Sequence, residues 1–179
     1  AIKSGADEVI VATDDGRIEK LAQTFGATVV MTSIDHQSGT DRINEALAKL
    51  GYSTNEIIVN VQGDEYGLDA GLINRVAQAL YDNPASQMAT LCERISDTHV
   101  YVDPNSVKVV FDTNNAALYF SRTPIPWDKP DNNTAGKPFI LNAYKHIGIY
   151  AYHADFLKVF AGLPRTSLEQ QESLEQLRA

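Results

Sequence analysis

Three β-branched runs separated by two segments of helical spacing constrain this chain more than any other feature. Residues 8–13 (EVIVAT), 28–31 (TVVM) and 56–61 (EIIVNV) read as strands, the last of them apolar enough to be buried. Between the first two, Ile18, Leu21, Ala22 and Phe25 recur at helical spacing; Asp14 or Asp15 is placed to cap the start, and Gly26 to end it. Between the second and third, a polar loop over 33–39 leads into a helix carrying Ile43, Ala46, Leu47 and Leu50, closed by Gly51. Strand, helix, strand, helix, strand implies a parallel sheet covered by helices. Further on, the pattern predicts a helix over 69–81 and strands over 88–92, 107–111, 117–120 and 144–152. Asp112-Thr113-Asn114-Asn115 has hairpin-turn chemistry, and 124–138, rich in Pro, Asp and Asn, reads as a long functional loop.

Composition narrows the function classes. With 44% hydrophobic and 21% charged residues in 179, the chain is an ordinary globular protein of one α/β domain. No apolar run reaches the length of a membrane span, and the start lacks the basic-then-apolar pattern of a signal peptide. A net charge of −8 argues against a nucleic-acid surface, which needs a basic face. It leaves room for an anionic small ligand held by local cations. The single cysteine, Cys92 in the run MATLC, rules out a disulfide framework and a multi-thiolate zinc site. It reads as a small core residue in a reducing, cytoplasmic setting. Residues 1–6 read as the last turn of a helix capped by glycine, and SLEQQESLEQLRA stops inside a helical pattern. We therefore expect a single domain over 1–179 that is incomplete at both ends.

Several short stretches carry chemistry. Val59-Asn60-Val61-Gln62-Gly63-Asp64-Glu65 is an apolar strand ending in a glycine and two carboxylates. Ligands of open parallel sheets sit beyond the carboxyl ends of the strands, and Gly63 permits close approach of backbone to ligand. Asp64 there suits either Mg²⁺, which takes one or two carboxylates plus phosphate oxygens, or a solvated Asp-Glu turn. In His36-Gln37-Ser38-Gly39-Thr40-Asp41-Arg42, Ser38 or Thr40 can cap a helix whose free amides attract anions. Arg42 in its first turn opposes the helix dipole, so it either serves a ligand or is an exposed arginine. Lys108 is a charge inside an apolar strand and reads as snorkelling from one sheet face. Arg122 ends a strand before a Pro-rich loop; its fork suits a carboxylate, and a plain surface arginine is the alternative. In Lys145-His146-Ile147-Gly148-Ile149-Tyr150, alternation puts His146, Gly148 and Tyr150 on one face, either a sugar-binding face or a structural one. In the C-terminal stretch, Leu168, Leu174 and Leu177 form part of an apolar stripe and the acidic residues a solvated face.

In order, ATDD, HQSGTDR, VNVQGDE, DPNSVKVV, ALYFSR followed by IPW, KHIGIYAY and LEQLR form a collinear series over nearly the whole chain. That series resembles the 3-deoxy-manno-octulosonate cytidylyltransferase (CMP-Kdo synthetase) family. The resemblance implies a three-layer α/β nucleotidyltransferase fold, Rossmann-like, with a mixed, mainly parallel central sheet. It implies transfer of CMP from CTP to the anomeric hydroxyl of the acidic sugar Kdo, with release of pyrophosphate, for lipopolysaccharide synthesis. Mg²⁺ is the implied cofactor, Asp64 its ligand, and a cytoplasmic homodimer the implied assembly. Asp14, Arg42 and Gln62 match positions near the cytidine. Arg122, His146, Tyr150, Glu175 and Gln176 match positions around Kdo, with Asp64 and Arg122 the catalytic pair.

Three departures from the family pattern stand out. The family's opening strand and its Arg- and Lys-bearing phosphate loop are absent from this sequence, as is its second metal-binding Asp. After Gln62-Gly63-Asp64-Glu65 the family has proline, where this chain has Tyr66-Gly67. The competing readings are a cytidylyltransferase for another acidic sugar, such as sialic acid, and a noncatalytic nucleotide-binding or dimerisation fragment.

Overall fold

The computed structural model describes residues 1–36, 38–52, 55–63, 67–127 and 142–179. In chain order its elements are β1 (Ile10–Thr13), α1 (Gly16–Thr24), β2 (Thr28–Met31), α2 (Gly39–Leu50), β3 (Ile57–Val61), α3 (Ala70–Tyr81) and β4 (Met88–Arg94), followed by α4 (Thr98–Val102), β5 (Lys108–Phe111), β6 (Ala117–Ser121), β7 (Tyr144–His153), α5 (Ala154–Gly162), α6 (Ser167–Glu172) and a 3-10 turn over Glu175–Arg178. The chain divides into two compact units, one of residues 1–90 and 148–162, the other of 91–147 and 163–179. None of the described helices is long and apolar enough to cross a membrane.

In the first unit, local chemistry sets the helix ends where the sequence places them. The Asp15 carboxylate accepts from the Arg17 amide to cap α1, Ser38 caps α2 through the Asp41 amide, and Asp69 caps α3 through the Gly71 amide. Each such cap stabilises its helix by about 1 kcal/mol. Gly51 closes α2 at φ 71°, a left-handed conformation that glycine adopts without a Cβ penalty. The core gathers Tyr150, Tyr152 and Leu157 with Ile43 and Leu47 of α2 and Ile58 of β3. Of the stripe expected on α1, Ala22 is buried while Ile18, Leu21 and Phe25 remain exposed. The glycine cap expected near the start is not formed. Ser4 donates to the Ala1 carbonyl in a simple turn, Gly5 has no left-handed backbone, and its amide instead donates to Asn74 Oδ1 at 2.7 Å.

Strand pairing departs from the sequence expectation. β1 and β2 pair in parallel, Ile10 opposite Thr28 through Thr13 opposite Met31. β3 instead pairs antiparallel with β7, Ile57 opposite His153 through Val61 opposite Ile149. In the second unit β5 pairs antiparallel with both β6 and the start of β7. The architecture is mixed α/β, but a mainly parallel sheet is not what the described residues show. A β-branched run fixes where a strand lies; its neighbour is chosen by tertiary packing, and for β3 that neighbour arrives from the far end of the sequence.

The second unit has its own core of Val109, Phe120 and Leu174, flanked by Val107, Tyr144 and Leu177. Its β5–β6 hairpin turns as the sequence predicts: Asp112 Oδ1 accepts from the Asn114 and Ala116 amides, each at 2.8 Å, and Asn115 supplies φ 64°. Three expectations change here. Lys108 does not snorkel; it is fully buried, because its ammonium finds acceptors inside the unit. Cys92 is exposed rather than in the core, since β4 runs out into solvent with Glu93 and Arg94. The C-terminal helical pattern is broken at Ser173, φ 53°, and the break turns Leu174 into the core while Leu168 stays exposed.

Candidate functional site

In the first unit the site is built on the one described parallel strand pair. Because β1 and β2 run the same way, Asp14 beyond β1 and Thr32 and Ser33 beyond β2 emerge at one edge, where the Thr32 amide donates to the Thr13 carbonyl at 2.9 Å. Arg42, from the first turn of α2, reaches all three residues. Its Nη2 donates to Asp14 Oδ2 at 2.8 Å, and its Nη1 to Thr32 Oγ1 at 2.6 Å and the Ser33 carbonyl at 3.4 Å. It is therefore no exposed arginine: its side chain keeps 20% of its surface, and the Asp14 carboxylate offsets its unfavourable place at the helix start. Gln62, just past β3, lies against the same helix start, its Oε1 3.5 Å from where a Cβ on Gly39 would stand. Asp14, Arg42 and Gln62 thus fall at one end of one unit, around the N-terminus of α2.

Asp64, with Gln37, lies outside the described residues. On either side of it, a Cβ added to Gly63 would meet open space, and Gly67 sits at φ 75°. Glycine adopts that positive φ without a Cβ penalty, which accounts for Gly67. Among the described residues no group of three His, Cys, Asp or Glu is placed to hold a metal ion.

Sequence reasoning passed over Glu45, which braces this loop. Its carboxylate accepts from the Ser33 amide at 2.9 Å, pairs with His36, and meets Lys49 Nζ at 2.6 Å. The Lys49 ammonium first, then the Ser33 amide and His36, hold its pKa down at about 2. Its i,i+4 relation to Lys49 was a visible signal; its tie to the loop was not.

The second unit assembles Arg122, His146, Glu175 and Gln176. Arg122 follows β6 directly. Its Nε donates to the Glu172 carbonyl at 2.7 Å, Nη1 to that of Pro104 at 3.1 Å and Nη2 to that of Ser173 at 3.3 Å. Three of its five N–H donors are accounted for by these carbonyls. Glu172, which the sequence placed on a solvated face, binds the same segment through its carboxylate: Tyr119 and Ser121 hydroxyls donate to Oε1 at 3.0 and 2.7 Å, and the Arg122 amide to Oε2 at 3.0 Å. Burial pushes this carboxyl up, but the Arg122 amide and the two hydroxyls together outweigh it, and the net shift is downward.

His146 is buried with its ring edge-on to Phe120, centroids 5.0 Å apart, and burial pulls its pKa down to about 4. It is a neutral imidazole at neutral pH. Gln176 is buried and Glu175 half-buried on the 3-10 turn. That turn is locked to α6 by a nearly dry pair, Arg178 Nη2 to Glu169 Oε1 at 2.5 Å and Nε to Oε2 at 3.0 Å. Tyr150 belongs to the first unit, where its ring stacks on Tyr152 in the apolar core, centroids 5.9 Å apart. The face of β7 that sequence alternation offered as a polar one is thus covered at both His146 and Tyr150.

A parallel strand pair whose carboxyl ends carry a carboxylate and an arginine beside a helix N-terminus defines the class: an α/β nucleotide-binding protein. Comparison with known proteins sharpens that. The profile of the cytidylyltransferase family matches residues 1–179, and the chain belongs to that family. It is 49% identical over 176 residues to the 3-deoxy-manno-octulosonate cytidylyltransferase of Francisella tularensis subsp. novicida (strain U112), a match covering 98% of this chain and 70% of that protein. It is 46% identical over 179 residues to the protein of the same name from Thioalkalivibrio sulfidiphilus (strain HL-EbGR7), covering all of this chain and 72% of that one. A solved CMP:2-keto-3-deoxy-manno-octonic acid synthetase complexed with CTP superposes with a TM-score of 0.86 at 44% identity, over 99% of this chain and 69% of the other.

Proposed function

We propose that the chain transfers CMP from CTP to the anomeric hydroxyl of Kdo. The observation that carries the reading is likeness over nearly the whole chain, in sequence and backbone, to a synthetase solved with CTP. The hydroxyl oxygen attacks the α-phosphorus, the bond from that phosphorus to the β-phosphate bridge breaks, pyrophosphate leaves, and the hydroxyl proton goes to solvent. No side-chain nucleophile is needed, so the protein's work is positioning and charge neutralisation.

On this reading Arg42, Gln62 and Asp14 surround the cytidine. Asp14 and Thr32 hold the Arg42 fork, so its orientation is set before the ligand arrives. Asp64 would hold Mg²⁺, which lowers the pKa of a bound hydroxyl and neutralises phosphate charge. Arg122 would face the sugar carboxylate, its guanidinium oriented by carbonyls at three corners. His146, neutral at neutral pH, belongs to the proposed Kdo set through the unit it shares with Arg122. Glu175 and Gln176 complete the proposed Kdo set within the second unit, Tyr150 being taken up by the core of the first, and a cytoplasmic homodimer completes the proposal.

Pyrophosphate release with each of CTP, UTP, ATP and GTP, and with Kdo or sialic acid, tests the reading. Turnover confined to CTP with Kdo is expected. Equal turnover with ATP, or preference for sialic acid, would sink it. Light scattering of the purified chain tests the dimer.

A further inference from the structure

We infer that Lys108 is a positioning residue that sets the aim of the Arg122 guanidinium, an inference that rests on the reading of Arg122 as sugar-facing. Lys108 lies on β5 with no exposed surface. Its ammonium donates to three backbone carbonyls, those of Asp103 at 2.8 Å, Ser106 at 2.5 Å and Arg122 at 2.6 Å. An ammonium has three N–H donors, so each has an acceptor. Desolvating this ammonium is costly, and burial pulls its pKa below the usual lysine value, opposed by the nearby Asp103 carboxylate. An apolar side chain of similar length would fill the same space without that cost.

What the charge gains is a fixed geometry. One of its three acceptors is the carbonyl of Arg122 itself. The other two bracket Pro104, whose carbonyl receives Arg122 Nη1. The remaining seats of the guanidinium, the carbonyls of Glu172 and Ser173, come from the end of α6. The fork therefore rests between two walls, and Lys108 ties one wall to the arginine's own backbone. A bidentate fork recognises a carboxylate only in a narrow range of orientations, so a loosened wall weakens binding with no charge lost.

The test uses the full chain with ¹⁵N-labelled arginine, the Arg122 Nε–H signal being identified by its loss in Arg122→Lys. In the native chain this proton should exchange about tenfold more slowly than that of the exposed Arg75. In Lys108→Met, with backbone spectrum and unfolding midpoint still those of a folded chain, it should exchange about tenfold faster than in the native chain. The KM for Kdo should rise by a similar factor and that for CTP should stay put. Adding Lys108→Met to Arg122→Lys should cost nothing more. Lys108→Gln, which keeps two donors, should fall between. Fast exchange in the native chain, an unchanged Arg122 signal in Lys108→Met, or additive kinetic effects would each overturn the inference. If Arg122→Lys leaves Kdo kinetics untouched while Lys108→Met still frees the Nε–H, the sugar assignment falls and the positioning role stands.

Discussion

His146 sets an acid limit on this fold. Its imidazole is buried against Phe120, and burial holds its pKa at about 4, against 6.5 for the ordinary side chain. Between those two values the unfolded chain takes up a proton that the folded chain refuses, so stability falls as pH falls. The sign follows from a depressed folded pKa on a base: the stabilisation is complete above about pH 6.5 and lost by about pH 4. Two and a half pKa units at 1.36 kcal/mol each give about 3 kcal/mol, a large part of a small domain's stability. The stabilised carboxylates do not confuse this window. Glu45 and Asp15 are held at about 2, by Lys49 first and by Arg17 first respectively, and Glu169 and Glu172 also lie below the ordinary carboxylate value, so their contributions are lost only as pH falls below about 4.5. Urea unfolding at half-unit steps from pH 7.5 to 4.5 should show the midpoint falling most steeply between 6.5 and 4.5. His146→Phe, which keeps a ring against Phe120 but cannot titrate, should flatten that segment whatever its absolute stability. Parallel pH curves for the two proteins, or a His146 resonance titrating near 6.5, would refute the reasoning.

Arg42→Lys keeps its charge but loses the planar fork whose Nη2 meets Asp14 while Nη1 meets Thr32 and Ser33, so on the proposed assignment the KM for CTP should rise about tenfold and that for Kdo should not; steady-state kinetics with each substrate varied decides. Glu169→Gln removes the closer of the two carboxylates that Arg178 Nη2 meets and leaves it Glu175 at 3.5 Å, which should cost about 2 kcal/mol in urea unfolding; a loss under about 0.5 kcal/mol would mean that water already screens the pair. Ser173→Gly should gain up to about 1 kcal/mol, because an exposed serine now holds the left-handed conformation that ends α6; a lowered melting temperature would contradict it.

What the sequence made legible was local chemistry. The Asp15 and Ser38 caps, each one of two candidates in the sequence, the Gly51 terminator and the Asp112 turn each depend on a few neighbouring residues, and each lies where the pattern put it. Pairing was not legible, because nothing within Ile57–Val61 encodes that its partner strand comes from Ile149–His153. Period-2 alternation likewise could not separate a ligand face from a second core layer. His146 and Tyr150 share a face of β7, yet one meets Phe120 and the other stacks on Tyr152. The site shows the same division. Arg42 stood out by opposing a helix dipole, and its resolution by Asp14 needed two strand ends to meet. Glu172 did not stand out, and Lys108 did so only as a charge in an apolar strand, because the groups each of them binds are brought near by the fold. A glutamate that accepts from an arginine's amide and a lysine that donates to its carbonyl leave no mark in residue type or spacing. Here the recognisable arginine is the visible end of an arrangement held mostly by main chain. For that reason a substitution at Lys108 is the sharper probe of the role proposed for Arg122.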